Sequence, residues 1–446
     1  MAKSHIGPSR GVDALTVLTW YLCVLLVIPA PMIVGPLGTA GHPATILAVG
    51  SFFWWAWHHV HRARPVELGF QPIRAAMIAW LTIMLLVYAH AMTQSIPADE
   101  ISPADSAMLR LVAMAGLVLV ANDGIASVDS ARTIARRMVI GVGVVALLGL
   151  VQYATRQLWI DRISIPGLAS PAGTLSLALR SGLIRPSGTA THPIEFGVVL
   201  TIALPLVVTF ALHSPRRRWL YRLILGLVGF AVFLSISRSA ILCGAVGLLV
   251  LALFWPARTR LWAGGVMLAM FALVYVSVPG VLGTITRLFT GISDDPSIAS
   301  RTGSYEIAGE FISRSPWLGR GFGTFLPKYW ILDNGYLGLL IEGGVLGLGG
   351  LLVVIATAAY GARRAVTAGL PEFDTRVAQG LLASVAAGAT GLAFFDIFGF
   401  PQSGGYFFLV LGLAGAYLRL GRLASTSTPL RGRRAAPSQE SDRVRS

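Results

Sequence analysis

Charge is what this chain has least of. Of its 446 residues only 12% are Asp, Glu, Lys or Arg, about half the roughly 25% of a soluble domain. So few charges exclude a soluble enzyme, a charge-rich disordered chain and a coiled coil. Cysteine is scarce as well. Cys23 and Cys243 both lie inside apolar runs, so neither a disulfide framework nor a CxxC metal site is built, and both read as buried structural thiols. Lysine is reduced to Lys3 and Lys328, which leaves the positive charge almost wholly to Arg.

What the chain has instead is apolar length. Hydrophobic residues make up 55%, and the mean hydropathy is +0.71. Glycine, at 50 residues, exceeds its usual level of roughly 7%, as expected where apolar helices pack closely. A helix crosses the hydrocarbon core with about 20 apolar residues, and such runs recur along nearly the whole chain. The pattern predicts an all-α, polytopic transmembrane bundle of about 12 spans. They fall near 14–34, 43–58, 75–93, 107–122, 138–155, 193–213, 219–236, 239–256, 261–279, 335–360, 377–395 and 404–421. The stretch 15–34 reads as a retained first span and not as a signal peptide. Residues 1–421 form one membrane domain, and 422–446 a basic, disordered cytoplasmic tail.

Sidedness follows from the loops. With a cytoplasmic N-terminus and alternating spans, one side holds 24 basic and 8 acidic residues, the other 11 and 12. The positive-inside rule then puts both termini in the cytoplasm. A pI near 10.7 is therefore topological. No basic stripe with interleaved aromatics is present, so nucleic acid is not an expected partner. The Arg-rich tail faces membrane lipids. His58, His59 and His61, at the end of an aromatic-rich span, read as interfacial anchors before they read as metal ligands.

Two loops on the less basic, external side are much longer than the rest, at about 156–192 and 280–334. Long insertions in compact proteins are usually functional. The first ends in Arg185-Pro-Ser-Gly188-Thr-Ala-Thr191-His192-Pro193. Thr191 or His192 can cap the next helix, and Pro193 suits its first turn. Gly188 permits a sharp turn beside a ligand. Arg185 has no carboxylate near it in sequence, so it is either solvated or reserved for an anion. No second ligand stands at a useful spacing from His192 for a metal.

Ser235-Ile-Ser237-Arg238-Ser239 joins two apolar runs so tightly that Arg238 falls at the outer membrane boundary. Arg within a span costs about 3 kcal/mol on insertion scales. Snorkelling is the plain reading, but a snorkelling Arg belongs more naturally on the basic side, which favours function.

The second loop holds three pieces. Ser300-Arg301-Thr-Gly-Ser-Tyr305-Glu306 opens a helix expected to carry Tyr305, Ala308, Phe311 and Ile312 on one face. Pro316-Trp-Leu-Gly-Arg320-Gly-Phe-Gly323 then breaks it. No Lys-Ser/Thr pair follows and no strand precedes, so it is not a nucleotide loop. Asp333-Asn334-Gly335-Tyr336 leads into the next span, with Glu342 about two turns deeper, where an unpaired carboxylate would be costly. Capping is the plain role for Asp333, whose charge suits a helix N-terminus. Asp396, between the last two spans, is expected to be exposed on the external side.

In their order and on one side of the membrane, these fragments resemble the O-antigen ligase and polymerase family of integral membrane glycosyltransferases. The likeness covers roughly residues 180–360. It rests on Arg185-Pro-Ser-Gly-Thr, His192-Pro193, Ser237-Arg238-Ser239, Ser300-Arg301, the Pro316–Gly323 segment, Asn334-Gly-Tyr336-Leu and Glu342. The resemblance implies a bacterial inner-membrane enzyme acting at the external face on a polyprenyl-diphosphate-linked oligosaccharide donor. It implies a glycan or lipid-linked acceptor, with no cofactor and no metal. A chain-length regulator and a flippase are the protein partners it brings. Asp333, Arg238, Arg301 and Arg185 become the catalytic candidates, and His192, Gly188, Arg320, Tyr336 and Glu342 the substrate-binding ones. Arg forks suit the diphosphate leaving group, and the acceptor hydroxyl needs a base.

The ligase branch carries His where this chain has Asp333, which moves the reading toward a polymerase. An ionised Asp is still a competent base in glycosyl transfer. The alternative is a twelve-span transporter or flippase for lipid-linked glycans, which would keep its key ionisable groups near the bilayer midplane.

Overall fold

A computed structural model describes residues 13–61, 69–171, 178–180, 183–277 and 296–426, without the side chains of 180, 277, 296–302 and 426. Among the described residues there are thirteen α-helices. They are α1 (Ala14–Val27), α2 (Pro43–Val60), α3 (Pro72–Met92), α4 (Ala98–Gly124), α5 (Val128–Thr155), α6 (Pro193–His213) and α7 (Arg218–Leu234). Then follow α8 (Arg238–Ala252), α9 (Ala257–Ser277), α10 (Pro296–Arg314), α11 (Gly335–Val366), α12 (Glu372–Leu392) and α13 (Pro401–Thr426). Two three-residue strands, β1 (Ala178–Arg180) and β2 (Leu183–Arg185), pair antiparallel in the first long loop.

Each of the twelve predicted spans contains one helix, and α10 lies in the second long loop. Seven helices (α3, α4, α5, α6, α9, α11 and α13) are long and apolar enough to cross a membrane, while α1 and α8 are apolar but shorter. The chain is an integral membrane protein.

Local chemistry sets the ends. α1 stops at Val27, short of the expected 34, because Pro29 and Pro31 cannot continue it. The Ser127 hydroxyl accepts from the Ser130 N–H at 3.1 Å and starts α5 earlier than hydropathy suggests. α6 and α13 are buried on nearly every side and form the centre of the bundle, whereas α9 is almost wholly exposed. Close helix approach explains the glycine excess: a Cβ at Gly116 of α4 would meet the Phe52 backbone nitrogen of α2 at 2.8 Å. Cys243 is buried as expected. Cys23 is not; it shares the outer face of α1 with Trp20 and Val27.

The two ends of the bundle differ in chemistry. At one end basic side chains hold the helices together. Arg132 on α5 clamps Asp374 on α12 through Nε at 2.9 Å and Nη2 at 2.5 Å, and Arg74 meets Asp123 at 3.5 Å. Arg419 donates to the carbonyls of Asn122 and Ile125, satisfying the C-terminus of α4. His59 stacks on Trp55 and His61 on Trp57. At the other end lie the first long loop, the described part of the second, and the 393–400 connection. Lys3, Arg10, Arg62, Arg64 and the tail arginines from Arg431 onward lie outside the described residues.

Candidate active site

The N-terminus of α6 fixes the first half of the site. His192 is the cap: its Nδ1 accepts the Ile194 N–H at 3.2 Å. Burial, reinforced by the positive charge of Arg185, lowers the imidazole to about 4, so the ring is neutral at pH 7. Arg185, at the end of β2, is 7% exposed, and its Nε donates to the Ser235 carbonyl at 2.8 Å. That bond ties the first long loop to the Ser235–Ser239 turn. Within the turn the Ser237 hydroxyl caps α8 by accepting the Ala240 N–H at 3.3 Å, and it lies 2.9 Å from the Ser239 hydroxyl. Arg238 is the first residue of α8 and is half-buried. Ile236 has φ +47°, a left-handed conformation that is strained for a β-branched side chain and clusters at functional sites.

Gly188 serves the frame of this half. It turns with φ +59°, packs on Phe196 and Val145, and exchanges two 2.8 Å hydrogen bonds with the Gln152 side chain. It faces protein, not a ligand space.

The second half is built on a broken helix. Gly344 (φ 63°, ψ −166°) interrupts α11, and the glycine-rich segment fills the break. The Arg320 and Gly321 N–H groups donate to the Ile341 and Glu342 carbonyls at 3.0 and 2.9 Å. The Val345 N–H donates back to Pro316 at 2.8 Å and the Leu346 N–H to Trp317 at 3.2 Å. Every backbone group freed at these four positions is satisfied, as membrane depth requires. Gly319, Gly321 and Gly323 all have positive φ. The Glu342 carboxylate accepts the Phe325 N–H at 3.0 Å, so a deep carboxylate is held by the loop it helps to fold.

Asp333 sits just before this helix, half-buried. The capping role belongs to its neighbour: the Asn334 side chain accepts the Leu337 N–H at 3.1 Å. Tyr336 donates its hydroxyl to the Ala389 carbonyl at 2.7 Å. Asp396 is half-buried, contrary to the exposed position expected, and accepts the Phe398 N–H at 3.0 Å. Burial raises its carboxyl, opposed first by Arg110 on α4, and the charge of Asp333 raises it further. Arg110 itself donates to the Thr39 hydroxyl and lies within electrostatic reach of Asp396 and Glu342.

Arg320 has a different setting. Its Nη2 pairs with Glu100 at 2.6 Å, and its guanidinium lies 5.1 Å from the Phe311 ring centroid and 4.7 Å from that of Tyr329. Tyr329 also donates to Glu100, and Lys328 pairs with Asp99 at 2.6 Å. This set clamps α10 and the following loop onto α4. On α10 the inward face is Ser304, Ala308, Phe311 and Ile312; Tyr305 points outward, one position off the expected stripe. Arg301 belongs to α10, and its side chain lies outside the described residues.

The halves meet at the 393–400 connection. Gly335 packs against Leu392 and the Phe395 carbonyl, and Gly391 against Val198 and Cys243. Glu195, fully buried on the first turn of α6, stitches them: it accepts the Thr191 N–H at 2.8 Å and, from the start of α13, the Gln402 and Ser403 N–H groups at 2.9 and 3.3 Å. Sequence reading missed Glu195 and Arg110 as members of this end, and placed Asp396 there but exposed. Glu195 stands three residues after the cap, a capping-box position that could have found it. Arg110 falls inside an expected span, where the insertion-cost argument used for Arg238 applied equally.

Residues 223–352 match the O-antigen ligase family. The match runs from α7 through the break in α11, and it includes Arg238, Arg301, Arg320, Asp333, Tyr336 and Glu342, while Arg185, Gly188 and His192 precede it. The likeness seen in the sequence over roughly 180–360 thus contains a matched family region, which supports assignment to the O-antigen ligase and polymerase family. A probable peptidoglycan glycosyltransferase FtsW of Allochromatium vinosum is 27% identical over 277 residues, 55% of this chain and 67% of that one. Both comparisons support a membrane protein of glycosyltransferase type in general.

Proposed function

We propose that this chain transfers glycan from a polyprenyl-diphosphate-linked donor to a glycan or lipid-linked acceptor at the external face of a bacterial inner membrane, as a polymerase before a ligase. The observation that carries the reading is the junction of two unlike halves at one end of the bundle. A cationic half brings Arg185 onto the turn that starts at Ser235 and ends in Arg238. An acidic half gathers Asp333, Asp396 and Glu342. Cations suit a diphosphate on which charge develops as the glycosidic bond breaks, and a carboxylate suits proton removal from the acceptor hydroxyl. Asp333 is the base in this scheme. The capping duty at the start of α11 is performed by Asn334.

The interruption of α11 is the feature that favours a transporter, since transporters break helices at their binding sites. Here the break is filled by residues 316–321 of the same chain, which favours a rigid scaffold.

Deletion of the gene, followed by analysis of surface glycans and lipid-linked intermediates, tests the proposal. Accumulation of single lipid-linked repeat units on the external leaflet supports a polymerase, and accumulation of complete lipid-linked polymer supports a ligase. Accumulation on the cytoplasmic leaflet would make the chain a flippase and overturn the reading.

A further inference from the structure

The surface between α1 and α5 carries a feature that glycosyl transfer does not use. A groove of about 330 Å³ opens there toward the membrane, lined by Cys23, Val27, Ile140 and Val144, with Thr19 and Arg137 at one end. Val27 and Val144 are more than half exposed. Gly141 keeps the two helices close, for a Cβ there would meet Leu26 Cδ1 at 2.6 Å. The spacing of the two walls is therefore set by packing.

Arg137 is half-buried at the mouth and donates to the Thr19 hydroxyl. Among the described residues no carboxylate lies within ion-pair distance of it; Asp13 is an electrostatic neighbour only. Arg136 is exposed beside it. The depth is informative. α5 runs from Val128 to Thr155, and Arg137 lies about 27 Å from the Thr155 end at 1.5 Å per residue. With Thr155 at one boundary of a hydrocarbon core about 30 Å thick, the guanidinium reaches the opposite boundary, at the level of lipid phosphates. From Arg137 to Val144 the groove extends about 10 Å into the core, along apolar side chains only.

We propose that this groove is a binding site for one anionic phospholipid of the leaflet at the basic end, its phosphate on Arg137 and Arg136 and one acyl chain between α1 and α5. A cation left without a carboxylate at phosphate depth, continuous with an apolar channel, matches the two parts of such a lipid. The site is independent of the catalytic reading. A basic side chain near the surface attracts an anionic lipid with about fivefold in affinity, the equivalent of ~1 kcal/mol.

Native mass spectrometry of the purified, delipidated full chain titrated with phosphatidylglycerol or phosphatidylethanolamine tests it. The expected result is one phosphatidylglycerol bound in preference to phosphatidylethanolamine, weakened about fivefold by Arg137→Gln and largely restored by Arg137→Lys. Val144→Phe, on an exposed position that tolerates bulk, fills the channel with the arginines intact and should also reduce occupancy. Equal binding of the two lipids, or unchanged phosphatidylglycerol occupancy in either Arg137→Gln or Val144→Phe, overturns the proposal. Should Arg137→Gln fail to fold, Val144→Phe alone decides.

Discussion

Asp333 and Asn334 divide two duties that one residue often combines. Asn334 caps α11, so replacing Asp333 leaves the helix start intact. Asp333→Asn should therefore fold normally and lose activity by roughly the 10²–10⁴ of a missing general base. Glu342 is the rival. Its carboxylate supports the 323–325 backbone, so Glu342→Gln should lower thermal stability before it lowers turnover of folded protein. Comparing the two variants for accumulation of lipid-linked donor separates the roles, and full polymer from Asp333→Asn removes it as base. On the cationic half, Arg238→Lys keeps the charge and loses the planar fork. Activity should fall about 10²–10³-fold at matched abundance, and wild-type glycan levels would take Arg238 out of the site. His192 gives a pH signature. Its folded value, about 4, lies below the usual 6.5, so the unfolded chain binds the proton first as pH falls. This contribution to stability is complete above pH 6.5 and is lost down to about pH 4. His192→Asn, which can still cap α6, should flatten that acid limb in a thermal unfolding series.

At the scale of elements, the joint between α11 and the 316–323 segment is the least forgiving part of the site. Gly319 has φ +65°, and a Cβ there would collide with the Glu342 carbonyl carbon and oxygen. Gly319→Ala should destabilise the protein by about 1–3 kcal/mol, read as a lowered unfolding temperature in detergent, whereas Gly309→Ala, with open space around it, should be silent. This joint also shows what a sequence can and cannot disclose. The run Pro316–Gly323 was legible as irregular and important from its glycines, and Glu342 as costly from its depth. That one resolves the other was not, because the hydrogen bonds join residues 17 or more apart and Gly344 is one of many glycines in a largely apolar run. Helix existence was legible nearly everywhere, since apolar runs and prolines act locally. Long-range pairs such as Arg320–Glu100 and Arg110 near Asp396 were not, because nothing local announces the partner. Glu195 lies between these cases: its capping-box spacing is local, but its bonds to α13 cross 207 residues.

For the whole molecule, the two ends of the bundle carry different bonds, and that asymmetry bears on orientation. The basic end spends its arginines on structure: Arg132 on Asp374, Arg74 on Asp123, Arg419 on the end of α4. The opposite end has fewer cations, and two of them, Arg185 and Arg238, gather at one turn. The orientation proposed from the positive-inside rule puts the first end in the cytoplasm and turns the loops of the proposed site outward, where a lipid-linked donor already flipped across the membrane would be found. Reporter fusions after residues 170 and 300 should give an external signal, and a fusion at the C-terminus a cytoplasmic one. The two loop fusions are independent, because 170 precedes α6 and 300 follows α9. An odd number of crossings between them would place them on opposite sides and separate the residues of the proposed site. The same signal at both positions is therefore required by the assignment of α6 to α9 as four crossings, of which the Arg185–Ser235 bond constrains α6 and α7. A cytoplasmic signal at both would keep the fold but reverse it, and would withdraw the proposed external chemistry.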